Sequence, residues 1–186
     1  MNILTIPKMI LTPRESWLDL EKTRPSLVRL FSFHILPLSA LPPLLLYYAG
    51  THYGDTFAAG FGSKPWATIA MVFYLAEVFT VLGMGWIVGQ VAAVYRVHVS
   101  KRDAYLLAGI SPTPLWLSSL ALLVPSLAFN VSVALVALMA TCILVYQGVY
   151  ALCHMHEEIN AAAITQTVMG AGLIAWALLL LIVVAL

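Results

Sequence analysis

Residues 66–95 read WATIAMVFYLAEVFTVLGMGWIVGQVAAVY, with one charged side chain, Glu77, and no proline. About 20 apolar residues cross about 30 Å of hydrocarbon as a helix. This stretch is longer than that, so it should tilt or project into the cytoplasm. Lipid offers the backbone no water partners, which leaves helix as the conformation. A membrane barrel would show short alternating strands, and the chain shows none.

Working outward, four more runs have the same character, at about 30–49, 104–124, 131–152 and 161–186. Composition agrees. Of 186 residues, 62% are hydrophobic and 9% charged, against roughly 25% charged in a soluble domain. Mean hydropathy is +0.95. The expected fold is all-α: a polytopic membrane bundle of about five spans behind an amphipathic N-terminal helix. Residues 1–29 form the cytoplasmic segment and 30–186 the five-span domain. A net charge of +1 gives no argument for nucleic acid. Cys142 and Cys153 are too few for a disulfide framework and read as reduced packing residues. The first apolar run starts too late and holds too many prolines for a cleavable signal peptide.

Lysine and arginine placement sets the expected orientation. Lys8, Arg14, Lys22, Arg24 and Arg29 precede the first span, and Arg96, Lys101 and Arg102 lie between the second and third. Lys64 alone falls on the other side. The N-terminus is therefore expected in the cytoplasm, with the C-terminus outside.

Thr12-Pro13-Arg14-Glu15 has the form of a capping box with proline at the first helical position. The helix should run to about Arg24, before Pro25. Trp17, Leu18 and Leu20 give it an apolar side, with Arg14 among the polar residues. Two placements follow, and both can hold at once: on the membrane surface with Trp17 at the headgroups, and packed under the bundle.

Within the spans, Pro37, Pro42 and Pro43 interrupt the first, and Pro112 and Pro114 the third. Each removes a backbone donor and kinks a helix; such breaks either line transporter cavities or are tolerated in packing. Glu77 is the sharpest single residue. A mid-bilayer acid costs about 2.5–3.5 kcal/mol on insertion scales, so it should face the interior. It reads as a proton or substrate site, or as a neutral carboxyl bonded to a neighbour such as Ser118, Ser119, Tyr74 or Thr80. Gly85 and Gly89 form a small-xxx-small pair for close helix packing, inside the bundle or between protomers.

Between the fourth and fifth spans, Cys153, His154, His156, Glu157 and Glu158 have the chemistry to hold a transition metal. Their spacing matches no standard zinc-protease motif, and a polar interfacial turn is the other reading. No cofactor is required by the sequence. No nucleophile constellation stands out, and His34, His52 and His98 are assigned no chemistry.

Three stretches carry a family resemblance. The first is Ile10-Leu11-Thr12-Pro13-Arg14-Glu15-Ser16-Trp17, followed by the proline-rich residues 33–43. The second is Ser111-Pro112-Thr113-Pro114-Leu115-Trp116-Leu117, then Leu122-Leu123-Val124-Pro125. The third is Tyr146-Gln147-Gly148, running to His156-Glu157-Glu158. In this order the chain resembles the Yip (Ypt/Rab-interacting) membrane proteins and their bacterial relatives. The resemblance implies five spans with a cytoplasmic N-terminus and no enzymatic activity. Its eukaryotic members associate with Rab GTPases in vesicle traffic; the short form here looks like a bacterial inner-membrane member. The family offers no catalytic residues to carry over.

The expected function is a non-enzymatic protein that organises membrane or binds membrane lipids, other membrane proteins or a second copy of itself. The alternatives are a small transporter, channel or lipid translocator using Glu77, and a metal-dependent membrane enzyme using the His154–Glu158 cluster.

Overall fold

The computed structural model describes residues 13–23, 25–152 and 158–186; for 13, 14, 21 and 158–160 it describes the backbone only. Helix α1 spans Pro13–Thr23. The first span follows in pieces: α2 (Leu27–Leu30), a π-helical turn (Phe31–Ile35), α3 (Leu36–Ser39) and α4 (Leu41–Phe57). The second span is α5 (Trp66–Val94). The third comprises α6 (Lys101–Ile110), α7 (Thr113–Ser118) and a 3-10 turn, Ser119–Leu123. The fourth is α8 (Leu127–Leu152) and the fifth α9 (Glu158–Ala185). Five helical stretches are long and apolar enough to cross a membrane, and no strand occurs among the described residues.

The prolines break the helices where a missing N–H and a ring clash require it. In the first span, the Pro37 ring would strike the carbonyl of Phe33, four residues back. The preceding turn widens instead, and Leu36 N–H donates to Phe31 O, five residues back. In the third span, Pro112 stands between α6 and α7. Pro114 cannot donate to Ile110 O; the Thr113 hydroxyl does so at 2.6 Å.

Helix α5 is the axis of the bundle, packing against α4, α6 and α9. Trp66, Ile69, Phe73, Glu77, Val81, Gly85, Val88 and Ala92 form one buried stripe at helical spacing. The opposite face is equally apolar. Met71, Leu75, Phe79 and Trp86 are exposed there, as a lipid-facing surface should be. At about 1.5 Å per residue, α5 is about 43 Å long, which bears out a helix longer than the hydrocarbon.

Helix α1 is anchored through Trp17, whose side chain is 0% exposed and belongs to the main core. The indole N–H donates to Leu144 O of α8 at 3.1 Å. Gly148 makes the space, since a Cβ there would lie 2.4 Å from Leu107 and 2.9 Å from the Trp17 ring. The helix therefore packs against the bundle, as the second placement expects. Thr12 and Arg24 lie outside the described residues, as does the Arg14 side chain, so the capping box is not seen.

The small-xxx-small pair also divides. A Cβ on Gly85 would lie 2.3 Å from the Tyr105 ring of α6, whereas one on Gly89 meets nothing within 4 Å. Of the pair, Gly85 alone sets a close helix approach within the chain.

Lys64, the basic residue on the far side, bonds Val183 O at 2.9 Å and Val184 O at 2.8 Å. It also lies 4.9 Å from the centre of the Phe61 ring. A cation here meets the negative end of the α9 dipole. The contact puts the loop after the first span and the C-terminal helix end at one end of the bundle.

Candidate intramembrane site

Glu77 lies about three turns into α5, on the buried stripe, and is 7% exposed. None of its expected partners holds it. Thr80 donates to Ala76 O at 2.8 Å, Ser118 to Leu115 O at 2.7 Å and Ser119 to Trp116 O at 2.6 Å. Tyr74 donates to Leu36 O at 3.4 Å, across to the broken first span. The partner is Trp116 of α7. Its indole N–H donates to Glu77 Oε1 at 2.6 Å, and its side chain is 1% exposed. The other carboxyl oxygen, Oε2, is buried with no protein partner.

Trp116 is aimed by its helix. The break at Pro112 restarts the chain, and Trp116 N–H bonds Pro112 O at 3.0 Å in the first turn of α7. Beside it, His34 of the π turn lies 6.3 Å from the Trp116 ring, centre to centre, in a tilted arrangement. His34 Nε2 is 3.0 Å from Thr113 Oγ1. Because that hydroxyl already donates to Ile110 O, Nε2 is the donor. His34, given no role from the sequence, thus ties the broken first span to the broken third.

Glu77 opens on a cavity of about 490 Å³ with walls from all five spans. That volume falls in the usual range for small-molecule sites, about 300–1,000 Å³. Pro42, Glu77, Trp116, Thr141 and Trp176 represent the five spans on its wall. Most of the lining is aliphatic and aromatic. Three further lining residues carry a buried polar atom with no protein partner: Ser111 Oγ, Thr141 Oγ1 and Asn130 Oδ1. Ser111 is 5% and Thr141 6% exposed. Buried polar atoms normally find a partner, so four unpartnered ones among the residues of one apolar wall are unusual.

Of the kink prolines, Pro42 and Pro112 lie on the cavity wall. The metal-binding candidates Cys153, His154, His156 and Glu157, and the Glu158 side chain, lie outside the described residues. Among the described residues no group of three His, Cys, Asp or Glu is placed to hold a metal.

A family model for the Yip1 domain matches residues 8–183. The inner membrane protein YohC of Escherichia coli strain K12 is 30% identical over 132 residues, covering 69% of this chain and 68% of that protein. The YohC protein of Escherichia coli O6:H1 matches to the same extent. No solved structure matches the chain.

Proposed function

The chain belongs to the Yip1 domain family, and on that premise we propose that it is a non-enzymatic membrane protein that binds an amphiphilic, lipid-like molecule inside its helical bundle. One observation carries the reading: an apolar cavity of about 490 Å³ is lined by Glu77, whose buried Oε2 has no protein partner. An isolated buried carboxyl oxygen in an otherwise apolar site costs stability, and a bound polar head would offset that cost. The YohC relatives are named inner membrane proteins, which supports the same membrane here. Eight basic residues on the N-terminal side support a cytoplasmic N-terminus. Lys64 joining the C-terminal helix end fits the outside placement of that terminus.

Gly172 supplies a test. It lines the cavity, and a Cβ there would meet only Met84, at 3.9 Å. Gly172→Phe therefore adds a bulky ring at a cavity-lining position whose Cβ is unobstructed. An apolar molecule extracted in stoichiometric amount from the purified wild type, and depleted from the variant, is the expected result. Equal amounts in both, or none in either, refute the reading.

A second reading, translocation of such a molecule, has the helix break at Ser111–Pro112 in its favour, because that break stands on the cavity wall as broken helices do in transporters. Wild-type protein in liposomes should then move a labelled lipid between leaflets, and Glu77→Gln should slow it. No movement by the wild type removes this second reading alone.

A further inference from the structure

The polar groups on the cavity wall are mostly acceptors. Thr80, Ser118 and Ser119 line the cavity, and each gives its hydroxyl proton to a backbone carbonyl. Their oxygens can therefore only accept. Asn130 gives its amide protons to Val124 O at 3.0 Å and Ser126 O at 2.8 Å, which leaves Oδ1 as an acceptor. The Trp116 N–H is engaged by Glu77. The Ser111 and Thr141 hydroxyls and the Trp176 indole N–H are the donors left on the wall. No Lys, Arg or His stands on the wall among the described residues.

Such a wall rejects an anionic head. A phosphate or carboxylate would meet Glu77 with two hydroxyls and one indole N–H as donors and no cation to balance its charge. It accepts a head that donates. An amine satisfies Glu77 Oε2 wherever the shared proton resides: ammonium donates to carboxylate, and a neutral amine accepts from the carboxylic acid. The Phe73, Trp116 and Trp176 rings on the same wall add faces that attract a cation.

Resting on the ligand-binding reading above, we infer that the cavity selects an apolar molecule with a hydrogen-bond-donating head, a lipophilic primary amine above all, and excludes anionic amphiphiles.

The test uses the purified full chain in detergent, examined by native mass spectrometry with hexadecylamine, hexadecanol or hexadecanoate at equal concentration. The three probes share one tail and differ in the head. The amine should bind roughly tenfold or more tightly than the carboxylate, the size expected of a hydrogen bond to a charged group, with the alcohol between them. Glu77→Gln should abolish the advantage of the amine over the alcohol while the alcohol still binds. The wild-type order decides the matter by itself if that variant fails to fold. Carboxylate binding equal to or tighter than amine overturns the selectivity and leaves the ligand-binding reading standing. An amine advantage that survives in folded Glu77→Gln protein also overturns it. If no probe binds and nothing co-purifies, both readings fall.

Discussion

Replacing Trp116 by Phe tests the central contact of the site. The change keeps an aromatic ring in a position that is 1% exposed but removes the N–H that bonds Glu77 Oε1 at 2.6 Å. With Oε2 already unpartnered, the whole carboxyl then lacks a protein partner. Loss of a hydrogen bond to a charged or buried acidic group costs about 1.5–3 kcal/mol. The missing part of the indole adds roughly 1 kcal/mol of cavity cost. A total near 3 kcal/mol should lower Tm by about 6–12 °C for a chain of this size. Glu77→Leu by itself should be within about 1 kcal/mol of wild type: it strands the Trp116 N–H but removes the unpartnered oxygen. The double variant removes both partners and should retain only the packing loss, about 1 kcal/mol. The two positions are therefore expected to couple by about 2 kcal/mol, measured by thermal unfolding of all four proteins in one detergent. Costs that add to within about 0.5 kcal/mol would sink the argument, because independent sites add.

Three further perturbations follow from the packing. Trp17→Ala should cost about 3–5 kcal/mol, as for other buried aromatic truncations, and lower both Tm and yield; a surface tryptophan would alter membrane association and leave Tm nearly unchanged. Gly148→Ala drives a methyl into Leu107 and Trp17 and should cost about 1–3 kcal/mol by overpacking; an unchanged Tm counts against the close approach. Lys64→Met removes the cation from the Val183 and Val184 carbonyls and should cost about 1 kcal/mol, with faster amide exchange confined to the loop after the first span and the end of α9; uniform exchange in wild type and variant contradicts the contact.

Several features were open to sequence reasoning because they depend on local chemistry. The breaks in the first and third spans followed from proline, whose missing N–H acts within one turn. The burial of Glu77 followed from the cost of exposing an acid to hydrocarbon. Its partner did not. Nearby serine and threonine hydroxyls were the natural candidates. In helices, however, those hydroxyls turn back to their own backbone three or four residues away, as Thr80, Ser118 and Ser119 do. An indole N–H has no such local outlet, and Trp116 stood only a few positions from the serines considered.

The sequence by itself determined that this chain forms helices in lipid, about how many and roughly where. Length and apolarity are sufficient for that, because the solvent leaves the backbone no other way to satisfy its polar groups. Tertiary structure decided which side of each helix faces inward. On α5 the buried stripe and the exposed face of Met71, Leu75, Phe79 and Trp86 are both apolar, so hydrophobic periodicity carries little signal there. It likewise decided the burial of Trp17, which depends on the space at Gly148, 131 positions along the chain. The site has the same origin: Glu77, Trp116, Ser111 and Thr141 come from three different spans and become one cavity wall only when the helices pack.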